Sequence, residues 1–164
     1  NKNIDYYNEY QQRIFSGELL SKDSIKVIDS LKFKTPKGKI VYGGGGIIPD
    51  VFVPIDTTSY MTNFYFNTIS NFAFDYVDSN RKKLKEWSIE DFIEDFDKND
   101  AIFSEYLSKI EDRITPSFKT KQSLKGYLKT TIANNLFGDV GFYRMVQLDD
   151  KMIQKVLELE STNE

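Results

Sequence analysis

The sequence predicts an α+β chain, with a short β-hairpin and a third strand in the N-terminal third followed by a mostly helical bundle. Three observations carry this prediction. Apolar and polar residues alternate through Leu31-Lys32-Phe33-Lys34-Thr35, the period of a half-buried strand. Proline and glycine then punctuate the chain as far as Pro54. Beyond Asp56 the alternation stops, and apolar residues recur at steps of three and four. The expected domains are therefore 1–56, strands with a leading helix, and 57–164, a helical domain.

Taken in order, Asp5 to Ser16 places Tyr7, Tyr10, Ile14 and Phe15 at near-helical spacing, and Gly17 is a stop signal. Residues 21–30 are ambiguous, although Ser21 can cap a short turn. Leu31–Thr35 is the first strand. Pro36-Lys37-Gly38 is turn chemistry, because Pro presets φ and Gly tolerates the left-handed region. Ile40-Val41-Tyr42 returns as the second strand, and Val51-Phe52-Val53, closed by Pro54, is the third.

The helical part opens with a helix capped by Thr57 or Thr58 that carries Phe64, Ile69, Phe72, Ala73, Tyr76 and Val77. Ser88 starts a short helix with Ile89, Phe92, Ile93 and Phe96. Phe103, Tyr106, Leu107, Ile110 and Ile114 mark another, ended by Pro116. Leu124, Tyr127, Leu128, Ile132 and Leu136 mark a fourth, ended by Gly138. A final broken helix over 139–160 carries Phe142, Tyr143, Val146, Ile153, Val156 and Leu157. Stripes at this spacing are read as core, and short connections predict antiparallel neighbours.

Composition narrows the chemistry. The net charge is −3, and the stretch 57–114 alone, with seven basic and twelve acidic residues, is −5. Nowhere is there a basic stripe of the kind that phosphate backbones require, so no nucleic-acid partner is expected. Cysteine is absent, which excludes disulfides and thiolate chemistry here. Histidine is absent too, removing the commonest metal ligand and near-neutral base. The apolar runs all fall short of a membrane span. The sequence starts at Asn1 with neither methionine nor a signal peptide, and it is expected to be part of a larger protein.

Three patterns resemble sites. Gly43-Gly44-Gly45-Gly46 could cradle phosphate, but a P-loop needs a following Gly-Lys-Ser/Thr and a helix. Here Ile47-Ile48-Pro49-Asp50 and a strand follow, so a structural turn is expected. Asp95-x-Asp97-x-Asn99 matches the start of a calcium loop, within the acidic run Glu90, Asp91, Glu94, Asp95, Asp97, Asp100. The sixth position should be Gly and is Asp100; the twelfth should be Glu and is Tyr106. We therefore expect a solvated face and an inter-helix loop, with no metal and no cofactor. A serine nucleophile would need a recognisable setting such as Gly-x-Ser-x-Gly, and no serine here has one. Residue chemistry alone therefore assigns no catalytic, cofactor-binding or metal-binding residue.

The most specific stretch is Leu31–Pro54. It resembles the segment that follows the catalytic lysine region in carboxy-terminal processing peptidases, the S41 serine peptidase family. In that family a strand ends in Thr-Pro-x-Gly-Arg/Lys, a second strand follows, and Gly-x-Gly-Ile-x-Pro-Asp leads into another. Thr35, Pro36, Gly38, Lys39, Gly44, Gly46, Ile47, Pro49 and Asp50 fill those places. Val41-Tyr42 running into the glycines, and Pro49-Asp50-Val51-Phe52-Val53-Pro54, look like the Bacteroidetes branch. The tail is similar to that branch too, with Phe74-Asp75-Tyr76-Val77-Asp78-x-x-Arg81 and Asp149 followed by Lys155-x-Leu157-Glu158-Leu159.

The resemblance implies a periplasmic or envelope serine endopeptidase that cleaves proteins near their C-termini. A Ser–Lys dyad would do the chemistry, with a desolvated lysine as base. A PDZ-like module would capture the substrate tail by strand addition. Both family motifs for the dyad lie upstream of the hairpin and neither is matched here, so no catalytic residue carries over. Residues 1–56 would complete the peptidase core and 57–164 would form a helical accessory domain. The implied partners are the peptidase core and PDZ-like module of the same protein, and a protein or peptide substrate. A homo-oligomer joined along unpaired strand edges is a further expectation. The alternative is a non-enzymatic helical module for protein–protein interaction.

Overall fold

A computed structural model describes residues 2–25, 27, 29–43, 49–57, 61–110 and 113–162. The chain divides into two units, 1–56 and 57–164.

In the first unit, helix α1 (Lys2–Phe15) ends where Glu18 N–H donates to Arg13 O at 3.2 Å and Gly17 N–H to Ile14 O at 3.1 Å. A 3₁₀ turn over Lys22–Ser24 follows, capped by Ser21, whose Oγ accepts from Asp23 N–H at 3.3 Å. A second 3₁₀ turn over Asp29–Leu31 leads into the hairpin. Strands β1 (Lys32–Lys34) and β2 (Ile40–Tyr42) pair antiparallel, with Lys32 opposite Tyr42, Phe33 opposite Val41 and Lys34 opposite Ile40. The turn is closed by Gly38 N–H to Thr35 O at 2.8 Å, and Thr35 Oγ1 also accepts from Lys39 N–H at 3.0 Å. Gly38 sits at φ +84°, where a side chain would be strained, and Pro36 supplies the fixed φ two residues earlier. Gly43 N–H to Leu31 O, at 2.9 Å, adds one more rung.

The expected third strand does not form: among the described residues Val51-Phe52-Val53 joins no ladder and the sheet has two strands. A strand is held by a neighbour that satisfies its N–H and C=O groups, and Pro49 and Pro54 lack the N–H needed to extend such a ladder. The backbone bond this segment does make is Ile55 N–H to Leu19 O at 3.0 Å. The glycine turn at Gly44–Gly46 lies outside the described residues.

The second unit is helical. Helix α2 (Asn63–Leu84) is capped by Thr62, not by Thr57, which lies outside any helix; Thr58 is outside the described residues. Thr62 Oγ1 accepts from Tyr65 N–H at 3.4 Å, because the buried stripe of Tyr65, Ile69, Phe72, Ala73, Val77 and Leu84 begins three residues after it. Helix α3 (Ile89–Asp95) starts at Ser88 as expected, with Oγ accepting from Asp91 N–H at 3.1 Å and donating to Asp91 Oδ2 at 2.7 Å. Helix α4 (Ala101–Ile110) buries Phe103, Tyr106 and Ile110. It does not extend to Ile114, which is exposed; Ile110 O accepts from the N–H groups of both Arg113 and Ile114 as the chain turns.

Helix α5 (Phe118–Phe137) is central, packing against α2, α3 and α6. Ser117 caps it and Gly138, at φ +65°, ends it, as that glycine predicts. Helices α6 (Asp139–Asp149) and α7 (Lys151–Ser161) break at Asp150, whose Oδ1 accepts from Met152 and Ile153 N–H at 2.8 and 3.2 Å.

The core gathers side chains from α2 to α6. Its aromatic centre stacks Phe92 on Phe96 with centroids 4.2 Å apart, with Trp87 edge-on to both and Phe137 edge-on to Phe92 at 5.5 Å. The stripe expected as core over 139–160 is a correction. Met145 and Gly141 are buried, whereas Tyr143, Val146, Val156 and Leu157 are exposed and α7 buries none of its side chains. Helical spacing makes a face apolar, but it does not provide the element that covers it. Among the described residues no helix is long and apolar enough to cross a membrane.

Candidate functional site

The hairpin holds Thr35, Pro36, Gly38 and Lys39 of the stretch that carries the family resemblance, and Gly44, Gly46 and Ile47 lie outside the described residues. Phe33 and Val41 face each other across the ribbon and are 58% and 38% exposed, with Ile40 on the other face at 49%. No described side chain of residues 8–57 is buried, so no core lies beneath this ribbon among the described residues of its own unit. Lys39 Nζ forms an ion pair with Asp50 Oδ2, joining two positions of the resembling motif across eleven residues. Both partners are exposed, so the pair orients the chain more than it stabilises it.

The acidic turn between α3 and α4 is a capping device. Asp97 Oδ1 accepts from Ile102 N–H at 2.8 Å and Oδ2 from Phe103 N–H at 3.0 Å, while Asn99 Oδ1 accepts from Ala101 N–H at 3.3 Å. Asp95 pairs with Lys98 and Asp100 with Lys125. Tyr106, at the calcium loop's last position, is buried and its hydroxyl meets Thr68 Oγ1 at 2.9 Å. Burial holds that phenol above its ordinary pKa, against the lowering effect of its hydrogen bond with Thr68. The described residues contain no group of acids able to hold a metal ion. Replacing Asp97, which sits at φ 55°, is therefore expected to damage α4. Asp97→Ala should cost about 1–2 kcal/mol in urea denaturation, and Asp97→Asn, which keeps an acceptor and tolerates the backbone angle, should cost less.

Beside this turn lies a cavity of about 300 Å³, lined by Phe96, Asp97, Lys98, Ile102, Lys125, Leu128, Lys129 and Ile132. Lys125 and Lys129 stand one helical turn apart on α5, and Lys98 comes from the turn. Lys129 Nζ donates to Ile93 O at 2.8 Å, one of the carbonyls left free at the end of α3, and stands 5.8 Å from the Phe92 ring centre. Burial is the main cause that lowers the Lys129 pKa. Lys125 adds to the shift, and Asp97, Asp149 and Asp95 oppose it. Sequence reasoning missed this cluster. Its one local signal is Lys125-x-x-x-Lys129 interrupting an apolar helix, and Lys98 joins it only through folding.

Residues 60–138 match a family of unknown function, DUF8443. That stretch contains α2 to α5, the whole lysine-lined cavity and, among the described residues, every buried apolar side chain except Met145. No curated protein and no solved structure matches the chain.

Proposed function

We propose that this chain is the non-catalytic, C-terminal portion of an envelope serine endopeptidase that cleaves proteins near their C-termini, with its Ser–Lys dyad upstream. The observation that supports this reading is the hairpin. Its Thr35-Pro36-Lys37-Gly38 turn is closed by Gly38 N–H to Thr35 O, and its Phe33–Val41 face is apolar and exposed among the described residues. An isolated two-stranded ribbon is marginal in water, and such ribbons are stable as part of a larger sheet. The upstream peptidase core of the same protein is the occupant that fits, with the PDZ-like module delivering the substrate tail.

The test compares the chain with the longer protein read from the codons upstream of Asn1. The longer protein is expected to hydrolyse an unfolded substrate and a tailed peptide, and the 164-residue chain to hydrolyse neither. Turnover by the 164-residue chain that a serine reagent abolishes would overturn the proposal.

A second reading, a non-enzymatic helical interaction module, is favoured by the apolar exposure of α6 and α7. Val140, Tyr143, Met152, Val156 and Leu157 are each more than half exposed. Upstream codons without a serine nucleophile motif and a lysine before Leu31 would favour this reading.

A further inference from the structure

We infer that the cavity between the end of α3, the start of α4 and helix α5 binds a small organic carboxylate with an apolar body, with the Lys129 ammonium as its charge partner. The inference rests on the helical unit alone and stands whether or not an upstream peptidase exists.

The charges on the cavity wall are unevenly engaged. Both Asp97 oxygens are occupied by the backbone N–H groups of Ile102 and Phe103. Lys98 and Lys125 are paired with Asp95 and Asp100. The acceptor that Lys129 meets is a neutral carbonyl, that of Ile93. An ammonium has three N–H donors, so the geometry leaves donor capacity for a ligand oxygen. Burial and the neighbouring Lys125 act against the charged form of this lysine, and Asp97, Asp149 and Asp95 act for it. A bound carboxylate would accept from the spare N–H donors, and charge-assisted hydrogen bonds are among the stronger ones.

The rest of the wall selects the kind of anion. Phe96, Ile102, Leu128 and Ile132 are apolar and cannot replace the water around a multiply charged, fully polar ion such as phosphate. Phe96, Leu128 and Ile132 are themselves almost wholly buried, so a short hydrocarbon body would rest on the half-buried Ile102 and the lysine stems. A volume of about 300 Å³ lies at the small end of ligand cavities, which run from roughly 300 to 1,000 Å³. A free short-chain acid and the last residue of a peptide share this chemistry.

The experiment titrates the ¹⁵N-labelled chain with 4-methylpentanoate, N-acetyl-leucine, 4-methylpentanamide and inorganic phosphate, following backbone amide shifts. One or both acids are expected to shift the amides of Ile102, Lys129 and Ile132 saturably in the millimolar range, and the amide to bind roughly ten-fold more weakly or worse. Preference for 4-methylpentanoate would indicate a free acid, and preference for N-acetyl-leucine a peptide end. Lys129→Gln should weaken the acids roughly ten-fold, and Lys129→Arg should retain them. Equal binding of acid and amide, phosphate matching the acids, or no saturable shift would overturn the inference. The comparison of ligands on the unaltered chain decides the matter if the Lys129 variants fail to fold.

Discussion

Gly141→Ala is expected to destabilise the helical unit by about 3 kcal/mol, although alanine is the better helix former by about 1 kcal/mol. A Cβ at Gly141 would lie 2.4 Å from Ala133 O, 2.9 Å from Ala133 C and 2.9 Å from Phe137 Cβ. Two of these atoms are backbone of α5 and cannot swing aside as a side-chain tip would. Helix α6 would have to withdraw from α5, and Met145, its buried apolar anchor, would withdraw with it. Urea denaturation followed by far-UV circular dichroism measures the loss. Gly126→Ala is the control. The Cβ there would meet only Asp149 Oδ2, at 3.0 Å, and that exposed carboxylate can rotate away. This second change is expected to be neutral or to stabilise α5 by up to about 1 kcal/mol. If both substitutions behave alike, the close approach of α6 to α5 is wrong.

Phe92→Ala is expected to cost about 3–5 kcal/mol. Phe92 is fully buried and joins three other rings, those of Trp87, Phe96 and Phe137. Its removal leaves a cavity at the junction of α3 with α5, and the edge-on and stacked contacts are lost together with the transfer energy. Trp87 is the single tryptophan, and its ring lies 6.5 Å from that of Phe92, so its emission reports directly on this cluster. A lower urea midpoint with a red-shifted Trp87 emission is the expected result. Phe74→Ala is the matched control, because Phe74 is 62% exposed, and it should stay within about 0.5 kcal/mol of the parent. A Phe92 variant as stable as the Phe74 variant would show that the aromatic centre is not where the core is made.

Much of this architecture is written locally. The hairpin turn follows from Pro36 and Gly38, whose backbone preferences need no distant partner. Ser88 and Gly138 mark helix ends for the same reason: a hydroxyl reaches back to a free N–H, and a glycine accepts a positive φ. The resemblance carried by residues 31–54 is equally local, and it is the source of the proposed role.

Elsewhere local pattern and outcome part. Thr57, Thr58 and Thr62 are equivalent capping residues on paper, and the start of the buried stripe at Tyr65 selects Thr62. Val51-Phe52-Val53 has strand composition but pairs with no described strand. The acids at Asp95, Asp97 and Asp100 look alike in sequence, yet one caps α4 and two hold lysines.

The sequence by itself determined where the chain turns, where most helices begin and end, and which of their faces are apolar. Those properties depend on backbone angles and on side chains within a turn of each other. Only the tertiary structure decided which apolar faces became core. It left those of α6 and α7 largely exposed, set Gly141 against Ala133, and drew Lys98, Lys125 and Lys129 around one cavity. Burial, close approach and the electrostatics of a lysine are set by atoms from distant parts of the chain, and residue spacing along one helix carries no information about them.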